Sequence, residues 1–303
     1  MTQADFGFHR VLSQVDFDRF ARLSGDDNPI HCDPSFARNS HFGATVSHGM
    51  FLYSLIYKAL AETMSDPGAL QVEQELMFPN PGFAGDEIDV LVTHLKTGQD
   101  SSLCFATSAG KQVNGERIIT AEGRARVIPS GSRAAFAAYA SSQMDADVAL
   151  AHGDATLYGL QPGMRALTER TLTAADLAEY ADLTGDCNPL HFDLDWAKRH
   201  GFAGCLVPAP LLSSMFSNLL GTRLPGRGTG WMKQKLRFVS PAYLDERITA
   251  QVEITRLRGA KELVNLATTL TGADGRVVCI GEALVLVRNL ELLREGRVFS
   301  LDQ

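Results

Sequence analysis

The chain has 303 residues, 45% of them hydrophobic and 21% charged, with a formal net charge of −7. That composition describes a folded globular protein long enough for two cores of ordinary domain size, and it excludes a disordered chain. The acidic balance also argues against a general nucleic-acid binder, which carries a net basic face. The start, MTQADFGFHR, has no basic stretch followed by an apolar run, and the most apolar helix candidate, MFLYSLIYKALAETM, is short and interrupted by Lys58. Neither a secretory signal nor a membrane span is expected, and a cytoplasmic location is. Five cysteines without a CxxC spacing signal neither a disulfide framework nor a zinc site, so no metal or other cofactor is expected.

In chain order, VDFDRFARLSG has apolar residues at helical spacing and predicts a short helix running into the loop SGDDNPIHCD. A turn uses Gly, Asn and Pro, but it has no need of the His that follows. Residues 48–63 predict a long apolar helix, and LQVEQELMF, EIDVLVTHL, LCFATSAG and RIITAEGRARVI predict strands. The stretch 131–160, rich in Ala and Ser, is expected to be a linker with some helix between an N-terminal domain, 1–130, and a C-terminal domain, 161–303.

The second half repeats the first at an offset of 160 residues. TAADLAEYADLTG predicts a helix with Thr173 and Asp176 as its capping pair, and TGDCNPLHFD follows it. Asp26, Asn28 and His31 thereby match Asp186, Asn188 and His191, and the register holds through Phe78 with Phe238, Pro81 with Pro241 and Glu122 with Glu282. Such a register over about a hundred residues means a duplicated domain. An apolar helix at about 210–220 and the runs GWMKQKLRF, RITAQVEITRL, LVNLATTLTG and RVVCIGEALVLV complete the copy, and Asn114-Gly115 and Asp274-Gly275 each predict a two-residue hairpin turn. The expected fold is α+β: an antiparallel sheet packed on one long helix, present twice.

The copies differ in two places. His48-Gly49-Met50 becomes Pro208-Ala209-Pro210, which lacks an N–H at Pro210 and adds a methyl at Ala209. Glu73 and Glu75 become Lys233 and Lys235; with Arg223, Arg227 and Arg237 nearby, Lys233, Lys235 and Arg237 form the candidate patch for phosphates of a ligand, and the alternative is a solvated strand face.

The stretch FARLSGDDNPIHCDPSFARNSHFGATVSHGM resembles the signature of the MaoC-like, (R)-specific enoyl-CoA hydratases, or hydratase 2 family, and YADLTGDCNPLHFD repeats its core. The resemblance spans both halves and implies a double hotdog, in which sheets wrapped around long central helices join. It implies an acyl-CoA or acyl-carrier-protein (acyl-ACP) thioester as substrate, with Asp26 and His31 as the catalytic pair and the Gly49 amide as oxyanion donor.

Hydrating a 2-enoyl thioester needs a base for water, a proton for C2 and donors for the enolate oxygen. Pro29 bends the chain at Asn28, so Asp26 and His31 can converge on one water while Asn28 braces the bend. Gly49, at a helix start, supplies an amide in the favourable field of the helix dipole. Asp33 and Asp193 read as helix N-caps, and His31, His41 and His48 lack a metal-ligand spacing. Asp186, Asn188 and His191 form a possible second site. The alternatives are a dehydratase of a branched or dicarboxylic acyl-CoA or of an ACP-bound chain, a thioesterase, and a non-catalytic acyl-thioester binding subunit. One chain holds a pseudo-dimer, and a homodimer of it is also expected to be possible.

Overall fold

The computed structural model describes residues 6–64, 68–98, 100–128, 133–141 and 156–290; most of the expected linker at 131–160 lies outside them. The first half runs β1 (Phe6–Val11), α1 (Gln14–Ser24), α2 (Pro29–Cys32), α3 (Pro34–Arg38), α4 (Gly49–Thr63), β2 (Leu70–Met77), β3 (Glu87–Thr97), β4 (Leu103–Val113) and β5 (Glu116–Ile128). Helix α5 (Arg133–Ser141) follows. The second half repeats the order as β6 (Arg165–Thr171), α6 (Ala174–Thr184), α7 (Pro189–Phe192), α8 (Leu194–Arg199), α9 (Ala209–Thr222), β7 (Gly230–Phe238), β8 (Arg247–Arg258), β9 (Leu263–Thr271) and β10 (Val277–Leu286).

Capping sets the helix starts. Ser13 with Asp16, and Thr173 with Asp176, form reciprocal capping boxes, and α1 and α6 both stop at a left-handed glycine, Gly25 or Gly185. Asp33 and Asp193 cap α3 and α8, as their position after the loop suggests. Helices α4 and α9 are predominantly apolar because most of each is buried, Lys58 and Glu62 pairing near the end of α4; Met50, Phe51, Leu55 and Ile56 are fully enclosed.

The ten strands form one antiparallel sheet in the order β1-β3-β4-β5-β2-β7-β10-β9-β8-β6, so the halves join through β2 and β7. This is the double hotdog arrangement. At the seam Glu75 faces Lys235, its own counterpart in the repeat, which puts the pseudo-two-fold axis between them. An exact duplicate would set Glu against Glu there. The exchanged charges instead make a row across four strands, Arg124–Glu75–Lys235–Glu282, and Glu73 faces Arg126 and Arg237 in the next row. Opposite charges on facing strand positions favour the pairing and like charges oppose it.

One sequence expectation needs correction, and two strands lie outside those expected. Asn114 and Gly115 both have positive φ, as a two-residue primed turn requires, but among the residues around Asp274 only Gly275 does, and β9 and β10 are joined by a five-residue loop closed by Gly272 and Arg276. The edge strands β1 and β6 were not anticipated. They are short and polar on alternate positions, so burial gives them little signature.

Candidate active site

Each element around the first loop places one group. Helix α1 ends at Gly25, whose left-handed backbone turns the chain so that Asp26 points inward, and the Asp26 amide donates to Ser24 Oγ at 3.1 Å. Asn28 has the extended backbone that a following proline imposes (ψ 123°) and caps α2, while its amide donates to Asp26 Oδ1 at 3.2 Å. One turn later His31 Nδ1 lies 2.7 Å from the Val46 carbonyl. A carbonyl only accepts, so Nδ1 carries the hydrogen and Nε2 keeps a free lone pair. Asp26, Asn28, His31 and His48 are all buried, and donor atoms of Asp26, His31 and His48 lie within 4.8 Å of one another.

Burial sets the protonation states. It pushes the Asp26 carboxyl up to about 7, against the hydroxyl of Ser217 and the amide of Asn28, which favour the anion. It pulls His31 down to about 4, against the Val46 carbonyl, and lowers His48 further below its usual range. Near neutral pH the site therefore holds a neutral imidazole beside a carboxyl poised to exchange a proton. The cluster is a poor metal chelate despite its proximity. The His31 and His48 rings stack with centroids 3.7 Å apart at 26°, and an ion about 2 Å from both nitrogens would have to lie in both ring planes.

The other half closes the site. Ser217 on α9 donates to Asp26 Oδ2 at 2.5 Å, and Gly221 passes so close that a Cβ there would sit 2.4 Å from Asp26 Oδ1. Asn28 grips the segment before β7: its Nδ2 donates to the Thr229 carbonyl at 3.0 Å and its Oδ1 accepts from the Gly228 amide at 2.9 Å. Asn28 thus braces the bend and also binds one half to the other. The resulting cavity, 460 Å³, is lined by Asp26, His31, Gly49 and Phe78 from the first half and by Ser217, Leu220 and Trp231 from the second. Gly49 opens α4, where the first amides have no carbonyl one turn earlier to accept them. Phe78 lies against it: a Cβ at Gly49 would meet the ring at 2.7 Å.

The second loop folds in the same way but not into the same site. Asp186, Asn188 and His191 are buried and keep the local bonds, including His191 Nδ1 to the Leu206 carbonyl at 2.8 Å. Here Tyr57 from α4 stands where Ser217 stands in the first site, with its hydroxyl 3.2 Å from His191 Nε2. Asp186 Oδ2 is buried without a partner among the described residues, Ala61 replaces Gly221, and the space beside Tyr57 and Asn188 shrinks to 10 Å³.

Lys233, Lys235 and Arg237 do not line the cavity. Lys233 and Lys235 open onto a groove with Glu75 and Glu282, away from Asp26, because alternate strand positions point to opposite faces. Sequence reasoning had not singled out Ser217, Gly221 or the 228–229 segment; the available signal was the register, which sets Ser217 against Tyr57 and Gly221 against Ala61.

The family described as "MaoC like domain" matches residues 2–113 and 160–274, one match in each half. The chain belongs to the MaoC-like family. Among its MaoC-like relatives, an (R)-specific enoyl-CoA hydratase of Aeromonas caviae is 38% identical over 42% of this chain and 94% of that protein. A mitochondrial 3-hydroxyacyl-[acyl-carrier-protein] dehydratase of Solanum lycopersicum is 37% identical over 40% of this chain and 73% of that one. A solved MaoC-like dehydratase superposes with a TM-score of 0.72 at 18% identity, covering 94% of this chain and 98% of the other. A Mycobacterium tuberculosis protein described as a double hotdog superposes at 0.68 and 11% identity over 94% of this chain and 96% of its own. These last two likenesses concern the fold.

Proposed function

We propose that this MaoC-like protein is an (R)-specific 2-enoyl-CoA hydratase, equally a 3-hydroxyacyl thioester dehydratase in reverse, working at the first loop. The observation that carries the reading is the convergence of the Asp26 carboxyl and His31 on a cavity that also holds the opening residue of α4. The thioester carbonyl accepts from the Gly49 amide, where the helix dipole favours the enolate charge. A water held by Asp26 and His31 loses one proton to the pair, and its oxygen bonds to C3. The C2=C3 electrons move into the enolate, and a proton from the pair then bonds to C2. The net change is one H and one OH added across the double bond, with the dyad returned to its starting state. The two groups act as one titrating unit.

The lining supports a neutral acyl chain. Among the described residues no Lys or Arg borders the cavity, so a terminal carboxylate would be buried beside Asp26 with no cation to meet it, at a cost of several kcal/mol. This favours a simple or branched chain over a dicarboxylic one. CoA and carrier protein both present the thioester on phosphopantetheine, and a comparison of the two carriers separates them. No helix among the described residues is long and apolar enough to cross a membrane.

The test is loss of the conjugated thioester absorbance with crotonyl-CoA and longer 2-enoyl-CoAs, with chiral analysis of the product. Asp26→Asn and His31→Ala should each lower kcat by about 10²–10⁴-fold. Turnover that survives both changes removes the dyad from the mechanism, and a wild type that binds CoA esters without hydrating them makes the protein a binding subunit.

A further inference from the structure

We infer that His48 is a positioning residue: it ties the two arms of the catalytic loop together by stacking on His31 while hydrogen bonding to the main chain of Asp26. This rests on the reading that Asp26 and His31 act as a pair. The His48 ring is fully buried, lies 3.7 Å from the His31 ring at 26°, and has its other neighbour, Phe20, at 5.1 Å. Its Nε2 donates to the Asp26 carbonyl at 3.0 Å. One side chain therefore limits the rotation of the imidazole and fixes the backbone that carries the carboxyl.

A purely packing role accounts poorly for an imidazole at this place. His48 Nδ1 is buried with no partner among the described residues, an arrangement that costs about 1–3 kcal/mol and that an apolar side chain of similar size would avoid. The repeat offers an internal control. Where the cavity has closed, Pro208 occupies the equivalent position, and His191 Nε2 faces the Tyr57 hydroxyl instead of a substrate space. The imidazole is retained beside the open cavity and absent beside the closed one.

His48 also bears on the tautomer of its neighbour. With His48 Nε2–H committed to the Asp26 carbonyl and His31 Nδ1–H committed to Val46, the His31 ring is held with its Nε2 lone pair unprotonated. Loosening the stack lets the ring turn away from Val46 and mixes the tautomers.

Three variants separate the contributions: His48→Gln keeps an N–H donor without the ring, His48→Phe keeps a stacked ring without the donor, and His48→Leu removes both. The expected result is a fall in kcat of about 10²-fold for His48→Leu with KM changed less than about threefold, and smaller losses for Gln and Phe. A second readout needs no turnover. Ring nitrogen NMR should show His31 as the Nδ1–H tautomer in the wild type and in His48→Phe, which keeps the stack, and a growing Nε2–H fraction in the Gln and Leu variants. Unchanged kcat together with an unchanged His31 spectrum in soluble, folded His48→Gln and His48→Phe proteins overturns the assignment. If the wild type hydrates no enoyl thioester yet the His31 spectrum shifts as described, the functional reading fails and the positioning role stands.

Discussion

At the scale of single residues, Asp26 and His31 make opposite contributions to stability as pH changes. The folded state holds Asp26 at about 7 against an ordinary 3.8, so between those values it binds a proton that the unfolded chain has released. Stability therefore falls as pH rises through that window. His31 is held at about 4 against 6.5, so between those values the unfolded chain binds the extra proton and stability is lost as pH falls. Asp26→Asn, which cannot ionise, should raise the melting temperature relative to wild type at pH 8 and lose most of that advantage by pH 4. Thermal unfolding at the two pH values measures this, and an advantage larger at pH 4 would refute the assignment. His31→Gln should remove the His31 share of the acid-side loss between pH 6.5 and 4 and leave the shares of His48 and His191, which burial also lowers. For catalysis the same shifts predict a kcat profile with an apparent pKa near 7, moved or abolished in Asp26→Asn.

At the scale of elements, helix α9 is as much part of the first site as the loop that carries the motif. Gly221→Ala would drive a methyl into the Asp26 carboxyl, which must move; kcat should fall about 10²-fold while far-ultraviolet circular dichroism keeps its native shape. Ser217→Ala leaves the buried Asp26 oxygen without its hydroxyl and should raise the Asp26 pKa further, shifting the pH profile upward. The seam strands carry a different lesson. Lys235 and Glu75 are 3.6 Å apart and both largely exposed, so the pair is worth less than about 1 kcal/mol. Lys235→Ala should change the KM for CoA esters less than about twofold; a large rise in KM would return Lys235 to phosphate binding. The alternating runs already marked this face of β2 and β7, but strand pairing decides what stands opposite each charge, and a linear sequence does not contain that pairing until the register is known.

At the scale of the whole molecule, two near-identical loops have unequal surroundings. Asp186→Asn and His191→Ala should leave kcat within about twofold of wild type, since Tyr57 faces His191 and the adjoining space, 10 Å³, is too small for an acyl thioester. A large loss from either change, with folding intact, would place chemistry in the second half. The duplication, the eight inner strands, the long helices and the Asp-Asn-His constellation were all legible in the chain, because periodicity, proline geometry and glycine termination act within a few residues of one another. The asymmetry of His48-Gly49-Met50 against Pro208-Ala209-Pro210 was legible too. Which residues complete each loop was not. Ser217 and Tyr57 come from the opposite half, and their meeting with Asp26 and His191 exists only once the two central helices pack across the pseudo-two-fold axis. Local chemistry wrote the same Asp-Asn-His loop twice; long-range packing left a cavity beside one copy and a tyrosine in the other.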